Sequence, residues 1–445
     1  MPPGRRLTAL LVVLALVAVP PVVLRVLCVG KTCEDARSAP ARVPFCPLPA
    51  RVKMLIAAGY RSGRSPDVLG VTGTAALQGG SDPESAGALW PATSPLPDTR
   101  VPIVFFGDGV AHGVGLPDGM KLDRIAPSLA DVLGFHRDHP EVREGTAAPG
   151  LANGAAPRLV VEIVWRGVGT ADLESSPDAW PFLRKLMRSG SAATLDGDTG
   201  SVPLDPAATL TTIGTGGPPS QHGITGSFVR NEQGRVTRVW GAGAPTSVIS
   251  TLPDDLDAPA PFGRFDQAPR IGLIATDTSD LGLIGGNWYQ NHDRDDVTIA
   301  RDPLPTVRRL LDRGYGADEA PDVLAVVLDG PVANMDSRTE AIVAAAGAGG
   351  EPTAFVVTAT GTTTPQVASA GYVADQVDGT AATARPLVQT VVPGGLFLDQ
   401  GVLEEYGLSS NAAVQTMLQM QSPSGGEKLF ADAFPGFAVS FARYC

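Results

Sequence analysis

Histidine is scarce in this chain, and its scarcity limits the metal chemistry that the chain can support. Only 5 of the 445 residues are His. Catalytic centres with two divalent metals are held by several Asp and His side chains acting together. The sequence therefore offers few ligands for such a centre, and no Asp/His quartet is evident in it.

Basic residues are also outnumbered. Lys and Arg total 34 against 46 acidic residues, which gives a formal net charge of −12. An acidic chain is repelled by phosphate backbones, so the composition predicts that the protein does not bind nucleic acid. Apolar residues make up 43% of the chain, although Gly and Pro are frequent. This composition predicts a large, loop-rich globular body rather than a disordered chain.

The N-terminus has the pattern of an exported protein. Arg5 and Arg6 precede an apolar run over residues 7–24, which is followed by Arg25 and by the apolar residues 26–28. Basic residues remain in the cytoplasm while an apolar run enters the bilayer. We therefore predict a signal anchor or signal peptide over residues 1–28. The main domain is then extracytoplasmic, either held at the cell membrane through residues 7–28 or secreted.

Cysteine is absent between Cys46 and Cys445, and the other two, Cys28 and Cys33, lie near the N-terminus. In an oxidising compartment these four residues are expected to form disulfides, and three pairings are open. We predict a Cys-containing linker over residues 29–49 and a bridge from the N-terminal group to Cys445. A zinc site fits less well, because the spacings are irregular and no His is near.

The rest of the chain, residues 50–445, is predicted to be one α/β domain with a possible sub-boundary near residues 143–157. Apolar runs typical of strands buried on both faces alternate with loops and helical patterns. The predicted strands are residues 66–71, 101–106, 158–164, 270–275, 322–328 and 354–357, and the predicted helices are residues 50–58, 122–133, 181–188 and 337–346. Residues 65–71 resemble residues 320–326, either as two equivalent βα units or as two strands of similar composition.

A more specific pattern lies in residues 205–226. A Thr-rich segment ends in Thr215-Gly216, and the sequence Pro-Ser-Gln-His-Gly follows, containing His222 and Gly223. This order resembles the alkaline phosphatase superfamily, in particular its type I phosphodiesterase/nucleotide pyrophosphatase branch. In that branch a nucleophilic Thr or Ser opens a helix, a Thr-Gly pair ends it, and a Pro-x-x-His-Gly segment follows.

A second similarity joins residues 101–110 with residues 122–134. In the family the corresponding strand and helix come after the last metal motif, whereas here they precede the nucleophile segment. The chain thus looks circularly permuted, and the resemblance covers most of residues 60–365 in pieces. It implies a mostly parallel alkaline-phosphatase-like sheet covered by helices on both faces, and zinc or another divalent metal if the protein is active.

Several positions depart from the family's catalytic motifs. The first metal ligand should be an Asp just after the strand 158–164, but Arg166 stands there, and an Arg does not ligate metal. Glu162 is a poor substitute because it lies inside the strand. Alignment on Thr215-Gly216 places Pro206 at the nucleophile position.

A shift of one residue places Leu204 at that position, and neither residue can attack phosphorus. Thr209 and Ser201 are the nearby hydroxyls, and Thr209 is the weak catalytic candidate. The alternative to both candidates is that the segment serves only as the structural start of a helix.

The remaining motifs are equally incomplete. Asp329 matches the Asp of an Asp-x-x-x-His motif, but Ala333 occupies the His position, followed by Asn334. The Asp-His-Gly motif has two candidate locations, residues 358–361 and 71–74, and neither contains Asp or His.

The resemblance implies a mainly structural role for His222. A separate cluster of His292, Asp293, Asp295 and Asp296 is a weak candidate for a hard cation such as Ca²⁺. Its alternative is a solvated acidic turn, because no spacing fits a known metal-binding loop.

These features predict a catalytically degenerate pseudo-hydrolase that binds or scaffolds an unidentified partner or ligand at the cell envelope. We expect it to need no cofactor. The alternative is an active metal-dependent phosphodiesterase or phosphatase that acts on extracytoplasmic phosphate esters.

Overall fold

A seven-stranded mixed sheet lies at the centre of the protein. The computed structural model describes residues 45–72, 98–258, 268–285, 295–362, 368–423, 426 and 428–444. The strands within this part of the chain are β1 (Val68–Thr72), β2 (Arg100–Gly107), β3 (Leu159–Trp165), β4 (Ala192–Asp198), β5 (Phe228–Arg230), β6 (Val236–Arg238), β7 (Ile271–Ala275), β8 (Asp296–Ile299), β9 (Asp322–Leu328), β10 (Thr353–Ala359), β11 (Val388–Val392), β12 (Gly395–Leu398) and β13 (Phe430–Pro435).

The central sheet has the strand order β4-β2-β10-β3-β9-β7-β8. Strands β10, β3, β9, β7 and β8 run parallel to one another, whereas β2 is antiparallel to both β10 and β4. Every residue of β3, β9 and β10 is buried. The near-continuous apolar runs that predicted these strands are thus explained by burial on both faces. The α/β class predicted from the sequence is confirmed.

Helices flank this sheet. The described α-helices are α1 (Ala50–Gly59), α2 (Ile125–Val132), α3 (Thr170–Ser175), α4 (Pro181–Arg188), α5 (Pro206–Thr215), α6 (Pro219–His222), α7 (Leu252–Leu256), α8 (Leu304–Asp312), α9 (Val332–Gly347), α10 (Ala370–Ala381), α11 (Gln400–Glu405) and α12 (Ser410–Gln419). Helix α9 packs on β3, where Trp165, fully buried, donates a hydrogen bond from Nε1 to Oγ1 of Thr339 at 2.9 Å.

A second sheet of four strands, in the order β11-β12-β1-β13, is antiparallel throughout. Most of the segment 65–71 lies in β1 of this antiparallel sheet. Most of the similar segment 320–326 lies in β9, a parallel strand of the central sheet. The interpretation of the two segments as equivalent βα units is therefore wrong, and only their strand composition is similar.

Residues from Phe45 onward form one compact unit. Phe45 is fully buried, and its ring meets that of Phe434 at a centroid distance of 5.2 Å. The last residues of the predicted linker 29–49 therefore belong to the folded body. The suggested sub-boundary near residues 143–157 lies inside this unit, where Arg143 bonds to Ser250 Oγ at 2.8 Å.

The two ends of the folded body lie close together. The C-terminal 3₁₀ helix Gly436–Tyr444 packs against α1, and its Val439 joins the apolar cluster that contains Phe45 and Val52. Cys46 is disulfide-bonded. The other three cysteines lie outside the described residues.

We therefore expect Cys445 to be linked to the N-terminal cysteine group. A disulfide between chain ends restricts the unfolded chain and persists in an oxidising compartment. Peptide mapping without reductant should recover the C-terminal peptide joined to a peptide that carries Cys28, Cys33 or Cys46. Recovery of Cys445 as a free thiol would contradict this prediction.

Candidate functional site

Four parallel strands of the central sheet end at one edge. Register pairs Trp165 of β3 with Leu328 of β9 and with Ala359 of β10, and β7 lies next to β9. The residues that follow these strands are therefore neighbours. Ligands of open α/β sheets bind at the carboxyl ends of the strands, so this edge is the candidate site.

Arg166 follows β3 at this edge and forms an ion pair with Asp280, whose side chain is fully buried. The other carboxylate oxygen of Asp280, Oδ2, accepts hydrogen bonds from the backbone N and the hydroxyl of Thr276 and from the backbone N of Asp277, at 3.0, 2.9 and 3.0 Å. Burial raises the pKa of Asp280, and the Arg166 charge opposes that rise.

A second ion pair lies on the same loop. Asp277 accepts two hydrogen bonds from Arg238 Nη2, at 2.5 and 2.7 Å, and one from the backbone N of Ser279 at 2.8 Å. Partial burial would raise the pKa of Asp277, but these bonds outweigh burial and lower it to about 2. Both carboxylates that follow β7 are thus engaged by Arg side chains.

The edge also contains the segment after β10, one of the two candidates for the family's Asp-His-Gly motif. Thr360 Oγ1 accepts a hydrogen bond from the backbone N of Gly167 at 2.8 Å, and Gly361 N donates to Val168 O at 2.9 Å. The rival candidate, residues 71–74, begins in β1 of the other sheet, so its described residues do not lie at this edge.

Asp329 follows β9 and is exposed to solvent. Ala333, at the position where the resemblance would require His, and the next residue Asn334 lie in the first turn of α9 and are also exposed.

Helix α5 is the helix that the resemblance would make the nucleophile helix, and the carboxylate of Asp205 caps its N-terminus. Asp205 is the N-cap residue, with Oδ1 accepting from Ala207 N and Ser227 Oγ and Oδ2 accepting from Ser227 N, at 2.9, 2.9 and 2.8 Å. Free N–H groups at a helix N-terminus attract anions. Here the carboxylate of Asp205, which is only 3% exposed, takes the place of an anion by accepting the N–H of Ala207.

The proposed nucleophile positions carry no usable hydroxyl. Pro206 is the first residue of α5, and the Leu204 side chain packs beside Gly361. Thr209 is 3% exposed, and its hydroxyl donates to the backbone O of Asp205 at 3.2 Å. Ser201 is buried as well.

The motif residues at the end of α5 are buried and form its local structure. His222 is fully buried, with Nε2 3.1 Å from Thr212 Oγ1 and Nδ1 accepting from Ile224 N at 3.1 Å. Burial lowers the pKa of His222 to about 3, so the ring is neutral. Gly216 and Gly223 both have φ of +81°, a conformation that favours glycine.

Thr215 is fully buried at the end of α5, and its carbonyl accepts hydrogen bonds from Arg137 and Arg143.

The described part of the acidic cluster, Asp295 and Asp296, lies away from this edge. Asp296 begins β8, at the amino end of the parallel strands, where it accepts hydrogen bonds from Arg313 at 2.8 Å and from the Tyr315 hydroxyl at 3.2 Å. Asp295 immediately precedes it. His292 and Asp293 lie outside the described residues.

The donor set at the carboxyl edge does not fit the two-metal centre that the resemblance would imply. Arg166 stands where the resemblance would require a carboxylate, Thr360 and Gly361 stand where it would require Asp and His, and two of the nearby carboxylates are already paired with Arg. Within the described ranges, no group of three or more His, Cys, Asp or Glu residues is arranged to hold a metal ion.

Sequence reasoning missed Asp277, Asp280 and Arg238. A usable signal was present, because both acidic residues directly follow the predicted strand 270–275. The local sequence does not indicate their Arg partners, because Asp280 is 114 positions from Arg166 along the chain.

Comparison with known proteins identifies no relative. No protein-family model matches the chain, and neither a curated protein nor a solved structure is significantly similar to it. Among the helices that the structure describes, none is long and apolar enough to span a membrane. The predicted segment 7–28 lies outside the described residues.

Proposed function

We propose that this protein is a catalytically degenerate, alkaline-phosphatase-like pseudo-hydrolase that binds or scaffolds a ligand or partner at the outer face of the cell membrane. One observation carries the proposal: Arg166 is ion-paired to buried Asp280 where the family resemblance requires a metal-binding carboxylate. A guanidinium at that position repels a divalent cation and cannot coordinate it.

The closed N-terminus of α5 supports the same proposal. A phosphate ester bound at this helix N-terminus would compete with Asp205 for the backbone N–H of Ala207, and it would meet a carboxylate there. Export is supported by the basic and apolar pattern before residue 28 and by the disulfide at Cys46, because disulfides persist outside the cytoplasm.

The alternative is a metal-dependent phosphodiesterase or phosphatase that acts on extracytoplasmic phosphate esters. Asp329 favours it, since this exposed carboxylate follows β9 where the family has a ligand. It is a single ligand, however, and the two carboxylates that follow β7 at the same edge, Asp277 and Asp280, are paired with Arg238 and Arg166.

We expect the purified full-length chain to show no metal-dependent hydrolysis of simple phosphate mono- and diesters. Two metals supply most of the transition-state stabilisation in this chemistry, and the edge lacks their ligands. Assays with and without zinc should give rates that Thr209→Ala leaves unchanged, because that hydroxyl is buried in a helix. Turnover that requires zinc and is abolished by Thr209→Ala or Asp329→Ala would establish the alternative instead.

A further inference from the structure

Two helices at the ends of the folded body expose large apolar side chains to solvent. Phe437 and Phe441 lie in the C-terminal 3₁₀ helix, are 59% and 55% exposed, and have their rings edge to face at a centroid distance of 6.5 Å. Met54 is 66% exposed on α1, the helix against which the 3₁₀ helix packs. These are the three most exposed large apolar side chains in the part of the chain that the structure describes. Exposed apolar groups that lie together are typical of a surface that contacts a partner or a membrane.

A polar groove opens beside the two Phe rings. It has a volume of about 370 Å³, and the 3₁₀ helix contributes to it Ser440, which lies between the two Phe residues in the sequence. Tyr60, Arg61, Ser62 and Ser220 supply the other polar groups of the wall. Hydroxyl and guanidinium groups donate hydrogen bonds to phosphate oxygens. The groove is therefore large enough and polar enough for a phosphate-containing head group.

The groove carries positive charge, although the chain as a whole is acidic. Arg61 donates to two backbone carbonyls of α6, both at 2.8 Å, and Arg64 also donates to backbone carbonyls. Neither guanidinium forms an ion pair within the described ranges. The carboxylate whose charge acts on Tyr60 is that of Asp67, and it is paired with Arg230. The charge at the groove thus favours an anionic ligand.

The predicted membrane segment is joined to the body at this same end. Phe45, where the described part of the chain begins, lies in one apolar cluster with Val52 of α1 and Val439 of the 3₁₀ helix. Residues 29–44 are all that separate Phe45 from the predicted segment 7–28. A short tether raises the effective concentration of whatever holds its other end. The two helices are therefore placed to meet lipid.

We infer that α1 and the C-terminal 3₁₀ helix form a second membrane contact, in which the two exposed Phe rings insert among the lipid chains and Arg61 binds the phosphate of an anionic phospholipid in the groove. The rings gain by leaving water, and the guanidinium gains a charged hydrogen-bond acceptor. The inference rests on the membrane location proposed above, but it does not depend on whether the sheet edge is catalytic.

Photocrosslinking of the full-length chain in lipid nanodiscs tests the contact. The photoreactive amino acid p-benzoylphenylalanine is placed at position 437 in one protein and at position 299 in a control. Ile299 is 51% exposed, but it lies on β8, at the opposite edge of the central sheet from β4, whose Asp198 is paired with Arg51 of α1. In nanodiscs that contain phosphatidylglycerol, mass spectrometry should find at least fivefold more lipid adducts at position 437 than at position 299.

The charge of the lipid tests the role of Arg61. Replacement of phosphatidylglycerol by phosphatidylcholine should lower the adduct yield at position 437 by about fivefold. Arg61→Gln should remove this difference between the lipids, whereas Arg61→Lys, which keeps the charge, should retain most of it. Arg188→Gln is the matched control, because Arg188 is exposed on α4 and forms no ion pair with another described residue, and it should leave the difference unchanged.

The possible results separate this inference from the proposed location. A chain that enters nanodiscs but forms no more lipid adducts at position 437 than at position 299 would overturn the inference alone. Adducts between two copies of the chain would assign the Phe rings to a dimer interface instead. Equal yields in the two lipids would show that Arg61 does not bind the head group. A full-length chain that fails to enter nanodiscs would contradict the membrane location and this inference with it.

Discussion

Glu162→Gln should raise the free energy of unfolding by about 3 kcal/mol at pH 7. Glu162 lies in the middle of β3 between Val356 and Ala325, is 2% exposed, and has a buried Oε2 without a hydrogen-bond partner among the described residues. Burial raises its pKa from 4.5 to about 8. The folded protein therefore holds a proton that the unfolded chain releases.

The pH dependence follows from that difference. Between pH 4.5 and 8, unfolding releases the Glu162 proton, so rising pH favours the unfolded state by about 1.4 kcal/mol per unit. The loss of stability ends above pH 8, where Glu162 is ionised in both the folded and the unfolded state. Glutamine cannot ionise, so the variant lacks this slope.

Urea unfolding of the wild type and Glu162→Gln at pH 5.5, 6.5 and 7.5 measures the difference directly. The stability gap should widen with pH, while other titrating groups, such as His222, contribute equally to both proteins. Glu404→Gln, on the exposed surface of α11, is the control and should leave the slope unchanged. A constant gap across these pH values would show that the Glu162 carboxylate is solvated or paired in solution.

Arg166→Met should cost about 3 kcal/mol of folding free energy at pH 8, because it leaves the charge of Asp280 buried and uncompensated. The cost should be smaller at pH 5. Burial already raises the pKa of Asp280, and removal of Arg166 raises it further, so the carboxyl takes up a proton instead.

A double-mutant cycle isolates this interaction. Asp280→Asn in the Arg166→Met background should restore part of the lost stability, since the neutral amide keeps the shape but carries no charge. Arg313→Met is the matched control, because its partner Asp296 is partly exposed, and it should cost less than about 1 kcal/mol. Additive effects of the two edge substitutions would show that the ion pair does not form in solution.

The strands of the central sheet were predictable from sequence because strands buried on both faces have near-continuous apolar sequences. Strand β9 was predicted at its observed bounds, and β3 and β7 within one residue. The same signal cannot distinguish the two sheets: β1 is buried along its whole length, as β9 is, but it pairs antiparallel in the smaller sheet. Pairing depends on partners distant in sequence, which local composition does not encode.

The candidate site was only partly predictable. Arg166 and Asp329 were singled out because the resemblance places metal ligands just after the strands that they follow. The ion pairs of Arg166 and Arg238 were not, since each joins loops that only the fold brings together.

The zinc content of the purified full-length chain tests most directly whether the sheet edge holds the metal centre that the proposed family resemblance would imply. The protein is equilibrated with excess zinc, dialysed against metal-free buffer, and analysed by atomic emission beside Asp329→Ala. We predict a content far below one ion per chain, with no difference between the two proteins, because Arg166 and its partner Asp280 leave no ligand set there. Stoichiometric zinc in the wild type that Asp329→Ala removes would contradict the account.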